Sequence, residues 1–210
     1  MNKFIPNPYI FREYDIRGIV KDDFPSKFVV DLGKAFGTYV IRCGKNSVAI
    51  SGDIRLTSPK LVEDFSIGLI QTGINVINIG IVPTPVNYYS MYCLDVDGAV
   101  QITGSHNPSE YNGFKLSFNK SAFFGNQIKE LKQMIEEQDF EIGDGRVTNF
   151  DILETYHNML KSKIKLNKSL FSVIDCGNAS ACLVAPKIFK EVGIKYKELF
   201  CEVDGTFPNH

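Results

Sequence analysis

The chain has 210 residues, 44% of them hydrophobic and 22% charged, and its 23 basic side chains stand against 24 acidic ones. A formal charge of −1 excludes a protein whose main partner is nucleic acid, since such domains carry a basic excess or a Lys/Arg stripe. No run reaches the ~18 apolar residues of a membrane span, and Met1 to Tyr9 lacks the basic start and apolar stretch of a signal peptide.

Short β-rich runs alternate along the chain with amphipathic helical ones. Over 26–42, Phe28, Leu32, Ala35, Phe36 and Tyr39 share one face at helical spacing. A short strand follows at Val48 to Ile50, then a helix with Ser58 as N-cap, Pro59 in first position and Gly73 just past its end. Ile74 to Ile79 reads as a strand stopped by Gly80, Pro83 and Pro85, and Thr84 as the cap of a helix from Pro85 to about Leu94. Gly98 to Ile102 is a strand that runs straight into the loop Thr103-Gly104-Ser105-His106-Asn107-Pro108. Phe114 to Phe118 is a strand of period 2, and Ile128, Leu131 and Ile135 mark a helix.

This order predicts an α/β fold with a mixed, mostly parallel sheet sandwiched by helices. Around 139–150 the pattern lapses into Asp, Glu, Gly and Asn, which places a domain boundary there. Residues 1–150 form one domain in this reading, and 151–210 a linker helix and the start of a second α/β domain. That stretch holds a helix over roughly 151–164 with His157 on its solvated surface. A strand at Phe171 to Asp175, a helix over 181–192 and a strand at Ile194 to Phe200 follow. Two parallel strands and one helix do not close a core, and their edges stay open. The second domain is therefore expected to be incomplete: mobile, weakly docked, or paired with another copy through an open strand. The five cysteines, Cys43, Cys93, Cys176, Cys182 and Cys201, form no Cys-x-x-Cys pair and read as reduced thiols of a cytoplasmic protein.

A strand leading into Gly104-Ser105 puts a small nucleophile at the carboxyl edge of an α/β sheet, where ligands of such sheets bind. Gly104 lacks a Cβ, which leaves room for a substrate to approach the serine. On residue chemistry alone, this reading competes with a polar turn whose serine bonds its own backbone.

Several runs point further. Ile102 to Pro108, Phe11 to Gly18 (FREYDIRG), Gly52-Asp53-Ile54-Arg55, Gly80 to Pro85 (GIVPTP) and Tyr111 to Lys115 (YNGFK) stand in this order. Asp175 to Asn178 (DCGN) and Cys201 to Gly205 (CEVDG) follow them. Together they resemble the motifs of the α-D-phosphohexomutases, the phosphomannomutase and phosphoglucomutase superfamily. The resemblance implies a mutase that moves a phosphoryl group between the 1- and 6-positions of a hexose phosphate. It implies that Ser105 is the phosphoserine and hexose 1,6-bisphosphate the intermediate. It assigns Arg17 to the phosphate, Lys115 to general acid/base work, and His106 to loop orientation or proton transfer. Tyr14 and Arg12 would shape the substrate pocket, and Arg55 would brace the serine loop. It also implies Mg2+, with Ser105 contributing one ligand through its phosphate, while the family's Asp-Gly-Asp-x-Asp-Arg metal loop has no counterpart in this chain. By itself the chain is therefore expected not to turn over. Two alternatives stay open on the sequence: a non-catalytic phosphosugar-binding or interaction module, and a phosphoglucosamine mutase. A serine hydrolase or P-loop kinase is disfavoured, because neither the Gly-x-Ser-x-Gly elbow nor the phosphate loop occurs.

Overall fold

The computed structural model describes residues 6–209; Met1 to Ile5, which belong to the leader reading, and His210 lie outside the described residues. The first sheet contains β1 (Ile16–Ile19), β2 (Ser47–Gly52), β3 (Asn75–Ile81), β4 (Gly98–Ile102), β5 (Tyr111–Phe118), β6 (Ser121–Ala122) and β7 (Val147–Asn149). Its order is β1-β5-β4-β2-β3-β7, with β6 hanging on β5. β4, β2, β3 and β7 run parallel to one another, whereas β5 is antiparallel to both β4 and β1. The helices are α1 (Val20–Asp23), α2 (Ser26–Arg42), α3 (Ser58–Ile70), α4 (Thr84–Cys93), α5 (Asn126–Glu137) and α6 (Leu153–Lys163). None of the described helices is long and apolar enough to cross a membrane.

The alternation of side chains along the strands decides which helices go where. Val48, Ile50, Val100 and Ile102 point to the face covered by α2, α3 and α5, where they join one large core with Phe28, Phe36, Phe65 and Phe114. Phe65 stacks on Phe114 with centroids 5.4 Å apart, and Phe24 meets Phe114 edge-on at 5.2 Å. The opposite face carries Ala49 and Ala99, small enough to bring Met91 of α4 onto the sheet. α2 and α3 touch backbone to backbone: a Cβ on Gly68 would lie 2.1 Å from Val30 O and 2.8 Å from Gly33 Cα.

Several expectations are corrected. β5 begins at Tyr111, three residues before the expected strand; it sits between β1 and β4, and all its residues except Tyr111 and Lys115 are buried. The polar stretch before residue 150 lies along the first sheet and adds an unexpected strand: Gly143 N donates to Gln71 O (2.9 Å) and Gly145 N to Ile70 O (2.8 Å), and β7 then joins the sheet edge. β3 runs through Gly80, whose left-handed backbone (φ 78°) a glycine accommodates, to Ile81. Ser58 and Thr84 are the first residues of α3 and α4 rather than caps, with no side-chain cap bond at either helix start.

The second unit consists of β8 (Phe171–Asp175), a 3₁₀ turn (Ser180–Leu183), α7 (Ala185–Glu191) and β9 (Lys195–Leu199), with β8 and β9 paired in parallel. It is docked on the first unit. Val184 and Leu183 join Ile79, Val82, Val86 and Ile152 in one cluster, and α6 lies against α4 with Tyr156 5.4 Å from Tyr89. His157 therefore is not on the solvated surface: it is 3% exposed, with Nε2 3.4 Å from Val184 O. The polar look of α6 misleads because one strip of it is pressed between the two units.

Candidate active site

The serine loop hangs between the end of β4 and the start of β5, and buried groups beneath it fix its shape. Thr103 Oγ1 accepts the Ser105 amide (2.9 Å) and donates to Asp53 Oδ2 (2.7 Å), while Asp53 Oδ1 takes the Ser58 hydroxyl (2.6 Å). Arg55, 3% exposed, is the brace. Its Nη1 donates to Pro108 O (2.7 Å) and Tyr111 O (3.1 Å), and its Nη2 to Ser105 O (3.1 Å) and Asn107 O (2.6 Å). A planar guanidinium with five donors can satisfy several carbonyls at once. Gly104 serves this packing: a Cβ there would lie 2.5 Å from Arg55 Cζ and 2.8 Å from Tyr111 O. The space beside Gly104 therefore belongs to the brace, not to an approaching substrate.

Held this way, Ser105 has a left-handed backbone (φ 56°), which non-glycine residues adopt mainly where the surroundings impose it. Its side chain is outside that packing and open to solvent. His106 Nδ1 is 3.4 Å from Ser105 Oγ, too long for a strong hydrogen bond.

β1 and β5 supply the charges. Their register sets Arg17 opposite Gly113, so Arg17 and Lys115 share one sheet face. Asp15, just before β1, accepts from Arg17 Nη2 and lies 3.4 Å from Lys115 Nζ. Arg17 Nη1 donates to Asn107 Oδ1 at 2.7 Å, which ties the cluster to the serine loop. Arg17 Nε is buried without a hydrogen-bond partner among the described residues. Burial first, and then the charge of Asp15, push the Tyr88 hydroxyl of α4 above its usual range, so it stays protonated at neutral pH. Arg12 and Tyr14 stand apart: both are exposed, and Tyr14 leans on Phe124 with centroids 6.2 Å apart.

Two clefts open at Ser105. The smaller, about 270 Å³, runs over Asp53, Thr103 and the start of α4 to Ala179–Ala181. The larger, about 740 Å³, lies between the serine loop and the second unit's Asp175, Cys176, Gly177, Thr206 and Phe207. The Phe207 ring covers Arg55 with its centroid 5.2 Å from Cζ. A magnesium ion needs an octahedral oxygen set, and the described residues do not assemble one. Among the described residues no group of three or more His, Cys, Asp or Glu is placed to hold a metal. Asp53 and Asp15 are also engaged by Ser58, Thr103, Arg17 and Lys115.

The profile of the phosphoglucomutase/phosphomannomutase alpha/beta/alpha domain I matches residues 8–142, which include Ser105, Arg17, Asp15, Arg55 and Lys115. The chain belongs to this family. Phosphohexomutase relatives cover nearly all of it. A phosphomannomutase/phosphoglucomutase of Pseudomonas putida is 41% identical over 201 residues, which are 96% of this chain and 43% of the relative. A phosphoglucomutase of Neisseria meningitidis is 39% identical over 203 residues, 96% of this chain and 44% of the relative. The crystal structure of a phosphoglucomutase/phosphomannomutase family protein from Burkholderia thailandensis superposes with a TM-score of 0.94 at 37% identity, covering 98% of this chain and 47% of that one. The chain thus spans less than half the length of the phosphohexomutases it matches. Sequence reading missed Asp15 as a partner of both Arg17 and Lys115, and it missed Asn107 as their link to Ser105. Both residues lie inside the motifs already quoted, but a pairing across 100 residues leaves no local signal.

Proposed function

We propose that this chain is the nucleophile-bearing part of a hexose-phosphate mutase acting on glucose or mannose phosphates. Ser105 carries the phosphoryl group. As a sugar hydroxyl oxygen bonds to phosphorus, the Oγ–P bond of phosphoserine breaks and the hydroxyl proton passes to Lys115. Arg17 stabilises the charge on the transferring oxygens. The resulting hexose 1,6-bisphosphate turns over, and its other phosphate returns to Ser105 Oγ. His106 orients the loop, and Arg12 and Tyr14 meet the substrate at the mouth of the site. The cytoplasm is the compartment that fits this metabolism, and the open edges of the β8–β9 ladder fit association of two copies.

The observation that carries the reading is the cluster of Arg17, Asp15 and Lys115 tied through Asn107 to the loop of Ser105. It pairs a nucleophile with a phosphate-binding cation and a proton carrier. The names of relatives about 40% identical over this chain support it. The complete enzyme, isolated from its own cells, should carry phosphate on Ser105 by peptide mapping, and Ser105→Ala should abolish interconversion of hexose 1- and 6-phosphates. Phosphate on another residue, or near-normal turnover in the alanine variant, would overturn the assignment.

A further inference from the structure

Three of the five cysteines meet at the carboxyl ends of β8 and β9. Cys176 directly follows Asp175, and its amide donates to Leu199 O (3.1 Å), extending the parallel ladder by one bond. Phe200 then turns left-handed (φ 50°), a conformation a bulky residue seldom takes. Cys201 is folded back over the strand ends, with Sγ 3.4 Å from Leu199 O and 3.3 Å from Cys176 Sγ. Cys182, in the 3₁₀ turn, directs its thiol to Phe200 O at 3.6 Å. Cys176 also lines the large cleft facing Ser105, beside Asp175 and Gly177.

We propose that Cys176 and Cys201 form an oxidisable dithiol that exchanges with a low-molecular-weight disulfide of the glutathione type, closing a covalent link in the cleft wall opposite Ser105. The two sulfurs stand about 1.3 Å further apart than the ~2.0 Å of a disulfide, a gap that small side-chain rotations close. The electrons balance within the exchange. The Cys201 thiolate attacks one sulfur of the small disulfide, whose S–S bond breaks and releases one thiol. Cys176 then loses its proton and attacks Cys201 Sγ, expelling the second thiol. One small disulfide is reduced to two thiols as two protein thiols become one disulfide.

The order of attack follows from accessibility. Cys201 is half-buried, whereas Cys176 is buried. Burial, and then the neighbouring thiols of Cys201 and Cys182, push the Cys176 thiol up to about 12. Cys176 therefore holds little thiolate at neutral pH, and its step sets the pace. Proximity offsets that handicap, because its target sulfur is already in contact. The link would bind two segments that hydrogen bonds now join: Asn178 N to Phe200 O (2.8 Å), Asn178 Nδ2 to Glu202 O (2.9 Å) and Asp204 N to Asn178 O (3.0 Å).

The full 210-residue chain, incubated with millimolar oxidised glutathione at pH 7 and pH 8, tests this by thiol counting, intact mass and peptide mapping. Two thiols should disappear, and the peptide carrying Cys176 should be joined to the one carrying Cys201, roughly tenfold faster at the higher pH. No lysine or arginine separates Cys176 from Cys182, so the trypsin map is repeated on Cys182→Ser, which should still form the link. Amide exchange at Asn178 and Asp204 should slow at least ~tenfold in the oxidised chain. Retention of all five thiols, arrest at a mixed disulfide, a link that needs Cys182, or unchanged exchange at both amides would each overturn the proposal.

Discussion

Arg55→Met removes the brace of the serine loop while keeping most of the side chain's volume. Four carbonyls lose their donor, those of Ser105, Asn107, Pro108 and Tyr111, and Asp53 loses the guanidinium 3.3 Å away. Bonds from a charged donor are worth about 1.5–3 kcal/mol each, which would sum to far more than any single site costs. The loop is at the surface, however, so water reaches the freed carbonyls, and Asp53 keeps the hydroxyls of Ser58 and Thr103. The expected loss is therefore about 3–5 kcal/mol, the range for breaking a buried charge pair from one side. For a chain of this size that corresponds to a fall in Tm of roughly 6–20 °C. Arg55→Lys should lose about half as much, because an ammonium donates three bonds without the planar fork. Urea and thermal unfolding of the two variants beside the parent chain measure this. A loss below ~1 kcal/mol for Arg55→Met, or equal losses for Met and Lys, would refute the cradle as the source of the loop's shape.

Gly104→Ala should act through the same brace, since its Cβ would lie 2.5 Å from Arg55 Cζ; a loss of ~2–4 kcal/mol by urea unfolding is expected, and a neutral substitution would contradict the tight packing. Lys115→Met in the complete enzyme should cut kcat by ~100- to 10,000-fold with a much smaller change in KM; an unchanged kcat with a raised KM would make Lys115 an anchor. Asp97 takes the Ser47 hydroxyl (2.8 Å) and the Asn46 and Ser47 amides (3.1 Å each). Burial raises its pKa, but these bonds and Lys45 outweigh it and leave the carboxyl below its ordinary value. A depressed folded value means stabilisation that is complete above the ordinary carboxylate range near pH 4 and lost as pH falls through the folded value. Asp97→Asn should cost ~1–2 kcal/mol at pH 7, and the difference should shrink below about pH 4 in unfolding curves taken across pH; a gap that does not change with pH would contradict this account.

What could be read from the sequence was what repeats along one element. The apolar spacing of 26–42 located α2, and Gly98 to Ile102 gave β4 to the residue. What escaped depends on partners distant in the chain. β7 consists of three exposed residues and so carries no apolar pattern; only its pairing with β3 makes it a strand. β5 reads as a strand only from Phe114 onward; Tyr111 to Gly113 belong to the strand because they pair with β1. α6 reads as polar, yet it buries His157 because the second unit arrives on that side. The motif run of β1 announced Arg17, but Asp15 gains its meaning only when β5 brings Lys115 to it.

These long-range pairings give the site its division of labour. The serine loop takes its shape from main-chain carbonyls gathered by Arg55, which leaves the side chains of Ser105 and His106 exposed and that of Asn107 to accept from Arg17. The charges come from a separate place, the β1–β5 pair, and reach the loop through one bond from Arg17 to Asn107. The second unit touches this arrangement at the brace rather than at the charges: Phe207 covers Arg55, and Gly205 packs against the Ile54 carbonyl so closely that a Cβ there would lie 2.4 Å from it. A shift of the second unit would therefore move the Arg55 cradle before it disturbed Arg17 or Lys115. What the second unit touches is thus the cradle beneath Ser105 rather than the charged groups beside it.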